Sequence, residues 1–218
     1  SLVTRNVIVK KTLEDDSYGA PETQTFRFYV TGTGAVNAIS SFGNVTRKTD
    51  DKGAYFEITV KKGETASATL TLPVGTYTIT EATNNAWTTT VNGATGAAAT
   101  VVVPMAGDSQ EVSFANTRNL YNNDGEIAVT KVWERIGEEE YPNVTFRLWQ
   151  QLGTAEATEY KTLTLKGTNV QNGTVSDAFT QVPAFAPDGT AYVYSVTEDL
   201  VGGYQQTENS PSVNAART

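Results

Sequence analysis

Three strand-like segments of the sequence each carry a polar residue at the end of a face that is otherwise apolar. Side chains alternate between the two faces of a β-strand, so residues of one parity share a face. The three sets are Val7, Val9 and Lys11; Tyr77, Ile79 and Glu81; and Val112, Phe114 and Asn116. If these faces form one core, the three polar groups are buried together, which is unfavourable unless they interact.

Such a buried trio would have the ingredients for forming an amide bond. Burial lowers the pKa of a lysine and raises that of a glutamate, by up to about 3–5 units for a fully buried group. A neutral amine is a nucleophile, and a protonated carboxyl group can donate a hydrogen bond to an amide carbonyl. The Nζ atom of Lys11 could therefore attack Cγ of Asn116 with help from Glu81. Ammonia would leave, and apolar neighbours would fix the geometry and exclude water.

The second half of the sequence repeats this pattern in part. Residues 7–13 align with residues 127–133, and residues 77–81 align with residues 194–198, which indicates a tandem repeat. The alignment places Lys131 and Glu198 at the positions of the first lysine and glutamate. Asn214 is the asparagine within the closing segment, but its parity relative to Val213 puts it on the opposite face. Three alternatives follow: a bulge re-aims Asn214, the partner lies beyond Thr218, or the second half forms no bond.

The composition excludes several classes of function. The 218 residues include 16 basic and 24 acidic side chains, for a net charge of −8, and contain no cysteine and no histidine. An acidic surface argues against binding of nucleic acid or of an anionic membrane. The absent residue types exclude disulfides and make a hydrolase triad or a zinc site very improbable. We therefore predict no cofactor and no metal site, and the acidic runs lack the ligand spacing of a calcium loop.

Hydrophobic periodicity predicts an all-β chain. Alternating segments recur every 8 to 15 residues between Gly, Asn, Asp and Pro, as in a sandwich or barrel, and no segment has a convincing helical period. The predicted strands cover residues 6–12, 25–31, 54–60, 66–72, 76–81, 100–103, 111–117, 126–133, 143–150, 160–165, 175–179 and 192–198, with a weaker one at 212–216. Trp87, Trp133 and Trp149 are expected to pack in the core or on strands rather than to form a ligand platform.

A domain boundary is predicted within the polar segment of residues 118–125, which carries an Asp-Gly turn signal. The predicted domains are residues 1–119 and 120–218. Each then contains about a hundred residues, a normal size for a sandwich domain.

The motifs of both halves resemble the Cna-B-type (collagen-adhesin B-type) domains of Gram-positive surface adhesins and pilins. The second half resembles them through IAVTKVW, YPNVTFRLWQ and FTQVPAFAPDGTAYVYSVTED, and the first through its lysine strand, LPVGTYTITE and VSFANT. The resemblance implies two tandem immunoglobulin-like β-sandwich domains. It also implies spontaneous intramolecular Lys–Asn isopeptide bonds, each assisted by a glutamate. These would be Lys11–Asn116 with Glu81, and Lys131 with Glu198 and Asn214.

This resemblance predicts a structural stalk or shaft segment of a cell-surface adhesin or pilus, and not an enzyme, because the amide-forming reaction turns over once. The expected partners are other domains of the same surface protein or pilus. The expected location is extracellular, on a fragment whose cell-wall anchor lies elsewhere, because no LPxTG-like signal and no signal peptide is present.

Two other classes of function remain. The chain could be an adhesive module for a host extracellular-matrix protein or a glycan, with residues 32–52 as the binding loop. A carbohydrate-active enzyme would need two facing carboxylates beside a cleft, and nothing in the sequence pairs them.

Overall fold

The computed structural model describes residues 3–15, 17–32, 39–134 and 140–203. The chain divides into two compact units, Ser1–Arg118 and Asn119–Thr218. Both units are built of β-strands, and the described residues include one 3₁₀ turn, Gly167–Asn169. The predicted all-β fold class is therefore confirmed. No helix in the described ranges is long and apolar enough to cross a membrane.

The first unit contains two five-stranded sheets, in the orders β5-β1-β10-β7-β8 and β3-β4-β2-β6-β9. The strands are β1 (Thr4–Leu13), β2 (Thr23–Gly32), β3 (Lys48–Asp50), β4 (Gly53–Lys61), β5 (Thr65–Pro73), β6 (Gly75–Glu81), β7 (Trp87–Val91), β8 (Ala94–Thr95), β9 (Ala98–Val103) and β10 (Gln110–Arg118). The sheets meet through aromatic rings: Phe28 of β2 lies 5.3 Å from Phe56 of β4 and 5.0 Å from Phe114 of β10, between ring centroids. Strands of both sheets therefore contribute to one core.

The first and last strands of this unit are neighbours. Strand β1 pairs with β5 in antiparallel fashion and with β10 in parallel fashion. The parallel register sets Lys11 opposite Phe114 and Leu13 opposite Asn116. All nine residues of the three predicted inner faces are buried, as their parity indicated.

The second unit contains the sheets β11-β14 and β13-β12-β15 in its described part. Its strands are β11 (Ile127–Val132), β12 (Val144–Leu152), β13 (Thr158–Leu165), β14 (Thr174–Phe179) and β15 (Tyr192–Glu198). Its core gathers aliphatic and aromatic side chains around Phe146, Leu148 and Tyr194. The turn after β13 requires glycine at position 167, because a Cβ atom there would lie 1.7 Å from the carbonyl oxygen of Tyr141.

The two units repeat one another in register as well as in sequence. Phe28 pairs with Glu81 between β2 and β6, and Phe146 pairs with Glu198 between β12 and β15. The tyrosine at the start of each glutamate strand also makes an equivalent hydrogen bond. Tyr77 Oη donates to the carbonyl oxygen of Pro73 at 2.6 Å, and Tyr194 Oη donates to that of Pro183, also at 2.6 Å.

The predicted strands within the described residues each correspond to an observed strand, but three short strands of the first unit were missed. These are β3, β7 and β8. Strand β7 reads WTTTV, whose run of threonines has no apolar alternation. The turn that joins β7 to β8 is Asn92-Gly93, with φ of 49° and 84°, a hairpin signal that the sequence does contain. The predicted strand at 212–216 lies outside the described residues.

Candidate functional site

Lys11 and Glu81 form an ion pair in the core of the first unit. Lys11 Nζ lies 2.6 Å from Glu81 Oε1, and both side chains have no exposed surface. The distance is that of a salt bridge, and among the described residues neither atom has a further hydrogen-bond partner. The ring of Phe26 lies beneath the amine, with its centroid 4.3 Å from Nζ. The lysine is therefore held among apolar and aromatic groups with one carboxylate in contact.

Burial changes the protonation of this lysine. Desolvation lowers the pKa of Lys11 from 10.5 to about 8, because its effect exceeds the opposing attraction of Glu81 and Glu14. The direction is the one that the sequence predicted. A buried ion pair also carries a desolvation cost that can exceed its Coulombic gain. Transfer of the proton from Nζ to the carboxylate would relieve that cost and leave a nucleophilic amine.

Asn116 lies on the same inner face as this pair. The residue is 1% exposed, and its Oδ1 and Nδ2 atoms have no hydrogen-bond partner in the part of the chain that the structure describes. Since Lys11 pairs with Phe114 two residues earlier on β10, Lys11 and Asn116 are diagonal neighbours, within reach of a long side chain. A buried amide without partners is uncommon in folded proteins and calls for an explanation.

A fourth polar residue of this site was missed by the sequence analysis. Thr89 of β7 is 7% exposed, and its Oγ1 donates a hydrogen bond of 3.2 Å to Glu81 Oε2. It also pairs with Asn116 across the β7–β10 ladder. The residue was missed because β7 was not predicted. The Asn-Gly turn that follows β7 is the signal that could have found it.

The loop after β1 closes the end of the site. Glu14 donates its backbone N–H to the carbonyl oxygen of Asn116 at 3.1 Å, and the buried Ser17 hydroxyl approaches the same oxygen at 3.4 Å. Arg118 Nη1 donates to the carbonyl oxygen of Gly19 at 2.5 Å. These hydrogen bonds fix the backbone around Asn116.

The second unit brings together Lys131 and Glu198 as predicted, at a more exposed position. Lys131 Nζ donates a hydrogen bond of 2.6 Å to Glu198 Oε1, and the two side chains are 16% and 11% exposed. The ring of Trp133 lies 4.7 Å from Nζ. Asn214 lies outside the described residues. The structure therefore describes two of the three predicted site residues of this unit.

The tryptophans and Asp50, which belongs to one of the acidic runs of the sequence, have structural contacts of their own. Asp50 accepts hydrogen bonds from Tyr29 Oη at 2.5 Å and from Arg27 at 2.9 Å, and the tyrosine bond is the main cause that lowers the pKa of this carboxyl group. Within the described ranges, no three acidic residues gather as a metal site. Trp87 and Trp133 are buried, and Trp149 Nε1 donates to Thr197 Oγ1 at 2.8 Å.

The two units thus define a class of all-β modules with a lysine–glutamate pair in the inner face of each, and comparison with known families specifies it. Residues 127–215 match the model of the Cna protein B-type domain. The match covers most of the second unit, and the resemblance to this family is confirmed. No curated protein sequence matches the chain.

Several solved structures are similar at low identity. The major pilin from Streptococcus pyogenes is 16% identical, with 89% of this chain and 82% of that chain covered and a TM-score of 0.44. The pilus-presented adhesin Cpa is 21% identical over 53% of this chain and 27% of its own, with a TM-score of 0.36. The Bacillus anthracis TIE protein is 13% identical over 96% of this chain and 32% of its own, with a TM-score of 0.39. The chain spans about a third or less of the length of the last two proteins.

Proposed function

We propose that the chain is a structural stalk segment of a cell-surface adhesin or pilin, and that an internal Lys11–Asn116 isopeptide bond stabilises its first unit. One observation carries the proposal. Lys11 Nζ lies 2.6 Å from Glu81 Oε1 with both side chains fully buried, beside a buried asparagine whose amide atoms have no partner. Burying three such groups together costs stability in an ordinary core, whereas amide formation requires all three.

The reaction exchanges one amide for another. Lys11 transfers a proton to Glu81, and the neutral Nζ attacks Cγ of Asn116. Glu81 donates a hydrogen bond to the amide oxygen as negative charge develops there. The Nζ–Cγ bond forms and the Cγ–Nδ2 bond breaks. The remaining excess proton of Nζ reaches Nδ2 through Glu81, and ammonia leaves. Glu81 ends with the proton that it first took from Lys11, which it can pass to the departing ammonia as ammonium, and no oxidant or cofactor takes part.

The positions of Lys11 and Asn116 determine how the proposed bond would stabilise the unit. Lys11 is on the first strand and Asn116 on the last strand of the unit, so the bond closes a loop of nearly the whole unit. By analogy with disulfides, closing a loop of about 100 residues contributes about 4.7 kcal/mol in the chain-entropy model. A pulling force that enters at one end could pass through the bond to the other end and leave most of the unit unloaded.

For the second unit we propose the equivalent bond from Lys131, assisted by Glu198, with Asn214 as the candidate partner. The 2.6 Å contact of the lysine and glutamate supports the first two roles. The family match, which extends to residue 215, supports a closing segment that includes Asn214. The measurement that tests the first bond also separates a bond to Asn214 from the other two alternatives, because only a bond to Asn214 adds a second ammonia loss in this chain.

That measurement is the intact mass of the folded, purified chain at isotopic accuracy. Two bonds predict a deficit of two ammonia masses, and one bond predicts a deficit of one. The matched control is Asn116→Ala, which removes the electrophile and leaves the Lys11–Glu81 pair in place. It should show one deficit fewer than the native chain. A native chain that is folded and has its full calculated mass would refute both bonds.

A stalk of this kind acts with other domains of its own protein or pilus, outside the cell and attached to the cell wall through a part of the parent protein. The family match and the pilin and adhesin neighbours make this the expected setting. The reaction proceeds once in each unit, so the chain is not an enzyme in the sense of multiple turnovers.

A surface depression of the first unit favours one second candidate, an adhesive module for a host protein or glycan. The depression encloses about 590 Å³ and is lined by Asn44, Val45, Thr46, Lys48, Glu57, Ser67, Ala68 and Thr69. Four of these residues belong to the 32–52 segment singled out in the sequence. A glycan array and a matrix-protein pull-down test this role, with Lys48→Ala as the variant. Binding that the variant abolishes would support it.

A further inference from the structure

We infer that Thr89 is a positioning residue for the amide-forming reaction, because its hydroxyl group fixes the Glu81 carboxylate so that the other oxygen faces Lys11. The inference rests on the proposed function of the first unit. It assigns a role to a residue on β7, a strand whose sequence carries no charged group.

The two oxygens of Glu81 have different partners. Oε1 lies 2.6 Å from Lys11 Nζ, and Oε2 accepts a hydrogen bond of 3.2 Å from Thr89 Oγ1. The three side chains are buried, at 0%, 0% and 7% exposure for Lys11, Glu81 and Thr89. The hydroxyl hydrogen and the ammonium therefore approach the carboxylate from separate sides, and water has no access to either oxygen.

A glutamate needs such a second contact to serve as a proton carrier. The last torsion of its side chain is broad and roughly two-fold, so the backbone alone does not fix the plane of the carboxylate. The Nζ–Oε1 contact of 2.6 Å holds one oxygen beside the lysine but leaves the carboxylate free to rotate about that contact. The hydrogen bond from Thr89 to Oε2 is the second contact, and it sets the plane of the carboxylate.

Thr89 is also placed beside the other reactant. In the β7–β10 ladder it is the residue directly opposite Asn116. Thr89 is therefore both the cross-strand neighbour of Asn116 and the hydroxyl that orients the Glu81 carboxylate. A change in the position of β7 would alter both at once, which couples the carboxylate to the asparagine.

The second unit supplies an internal contrast. Glu198 contacts Lys131 at 2.6 Å, but in the described part of that unit no threonine or serine hydroxyl donates to Glu198. Its lysine has hydrogen-bonding geometry, and the pair is more exposed. Among the described residues, a hydroxyl contact to the glutamate is therefore found at the fully buried site alone.

The test is the rate of ammonia loss during refolding of the full chain. Chain recovered from inclusion bodies is dissolved in denaturant, and its mass at time zero verifies that no bond has formed. After dilution, samples are quenched in acid and their intact mass is followed, while tryptophan fluorescence follows folding. The variants are Thr89→Val, which replaces the hydroxyl by a methyl group, and Thr89→Ser, which keeps the hydroxyl. Thr90→Val, on the opposite face of β7, is the matched control.

We expect Thr89→Val to fold at the native rate but to lose its first-unit ammonia about tenfold more slowly, the scale of one hydrogen bond to a charged group. Thr89→Ser should restore the native rate, and Thr90→Val should leave it unchanged. A merely structural role predicts instead that Thr89→Val and Thr89→Ala alter folding or unfolding equally in an Asn116→Ala background, where no bond forms.

The failures are distinguishable. If the native chain loses ammonia and Thr89→Val loses it at the native rate, the inference is wrong and the crosslink stands. If the folded native chain loses no ammonia from its first unit, the proposed crosslink is wrong and the role of Thr89 falls with it. Where Thr89→Val does not recover native fluorescence, Thr89→Ala is judged by the same criteria.

Discussion

The amine of Lys11 lies in a buried, largely apolar environment that disfavours its charged form. Every contact described for it is either apolar, as with the Phe26 ring, or made by the carboxylate of Glu81. The pKa of about 8 expresses the net result of these contacts. The amine is therefore much closer to its neutral form at neutral pH than a surface lysine is, and this makes it suitable as a nucleophile.

This pKa predicts how stability depends on pH when the bond is absent. In Asn116→Ala, the unfolded lysine binds its proton up to pH 10.5, but the folded lysine releases it near pH 8. The unfolded state holds more protons between these values, so stability rises with pH there, by up to about 3 kcal/mol. Urea unfolding of Asn116→Ala at pH 7 and pH 9.5 measures the rise. The double variant Lys11→Met/Asn116→Ala should lack it, and an equal rise in both would contradict the assignment.

Replacement of the glutamate tests its role separately. Glu81→Gln keeps the shape of the side chain but cannot carry a proton between Nζ and Nδ2. We expect the first-unit ammonia deficit to disappear or to form at least about a hundredfold more slowly. Intact mass after refolding measures this, and the control is Glu57→Gln, a half-buried glutamate of β4 that pairs with Lys48 outside the site. A native deficit in folded Glu81→Gln would exclude the proton-carrying role.

At the scale of elements, the site depends on the short strand β7, which carries Thr89 and the buried Trp87. Strand β7 contacts the rest of its sheet through β10 and continues into β8 through the Asn92-Gly93 turn. Gly93 has φ of 84°, where a side chain is strained, although open space surrounds its Cα. Asn92 also accepts a hydrogen bond from the backbone N–H of Ser113 at 3.0 Å, which ties this turn to β10.

We therefore predict that Gly93→Ala destabilises the chain through backbone strain alone, by about 1 kcal/mol. Because the turn sets the position of β7, ammonia loss from the first unit should also slow. Gly202→Ala is the control, since a Cβ atom there meets open space and no positive φ is required. Denaturant unfolding and the refolding mass assay measure the two effects. Equal stability of the two variants would show that the turn does not need glycine.

Sequence reasoning found the residues that interrupt an apolar pattern and missed the one that belongs to no pattern. Lys11, Glu81 and Asn116 each close an alternating strand, so parity alone predicted their common face. Thr89 lies among other threonines, and the sequence does not distinguish a buried threonine hydroxyl from an exposed one there. Which hydroxyl meets Glu81 is decided by the pairing of β7 with β10, a contact between residues far apart in the sequence. In the second unit the role of Asn214 stays a prediction.

At the scale of the whole molecule, the bond should change how the chain responds to force. A crosslinked first unit holds the residues between Lys11 and Asn116 out of the load path, whereas Asn116→Ala releases them. Single-molecule stretching of the variant should therefore show an added extension of roughly 350 Å, from roughly 100 residues at about 3.5 Å each. The native chain should lack this step. An extension step of that length in the native chain would contradict the stalk mechanism.

The parallel pairing of β1 with β10 has a consequence before any bond forms. The first strand enters at one end of the sheet, and the last strand leaves at the other. Tension on the two chain ends therefore makes these neighbouring strands slide past each other, and the seven residue pairs of the ladder are loaded in shear together rather than peeled apart one by one. Shear geometry resists extension cooperatively, so the fold of the first unit resists tension through this ladder even without the proposed covalent link.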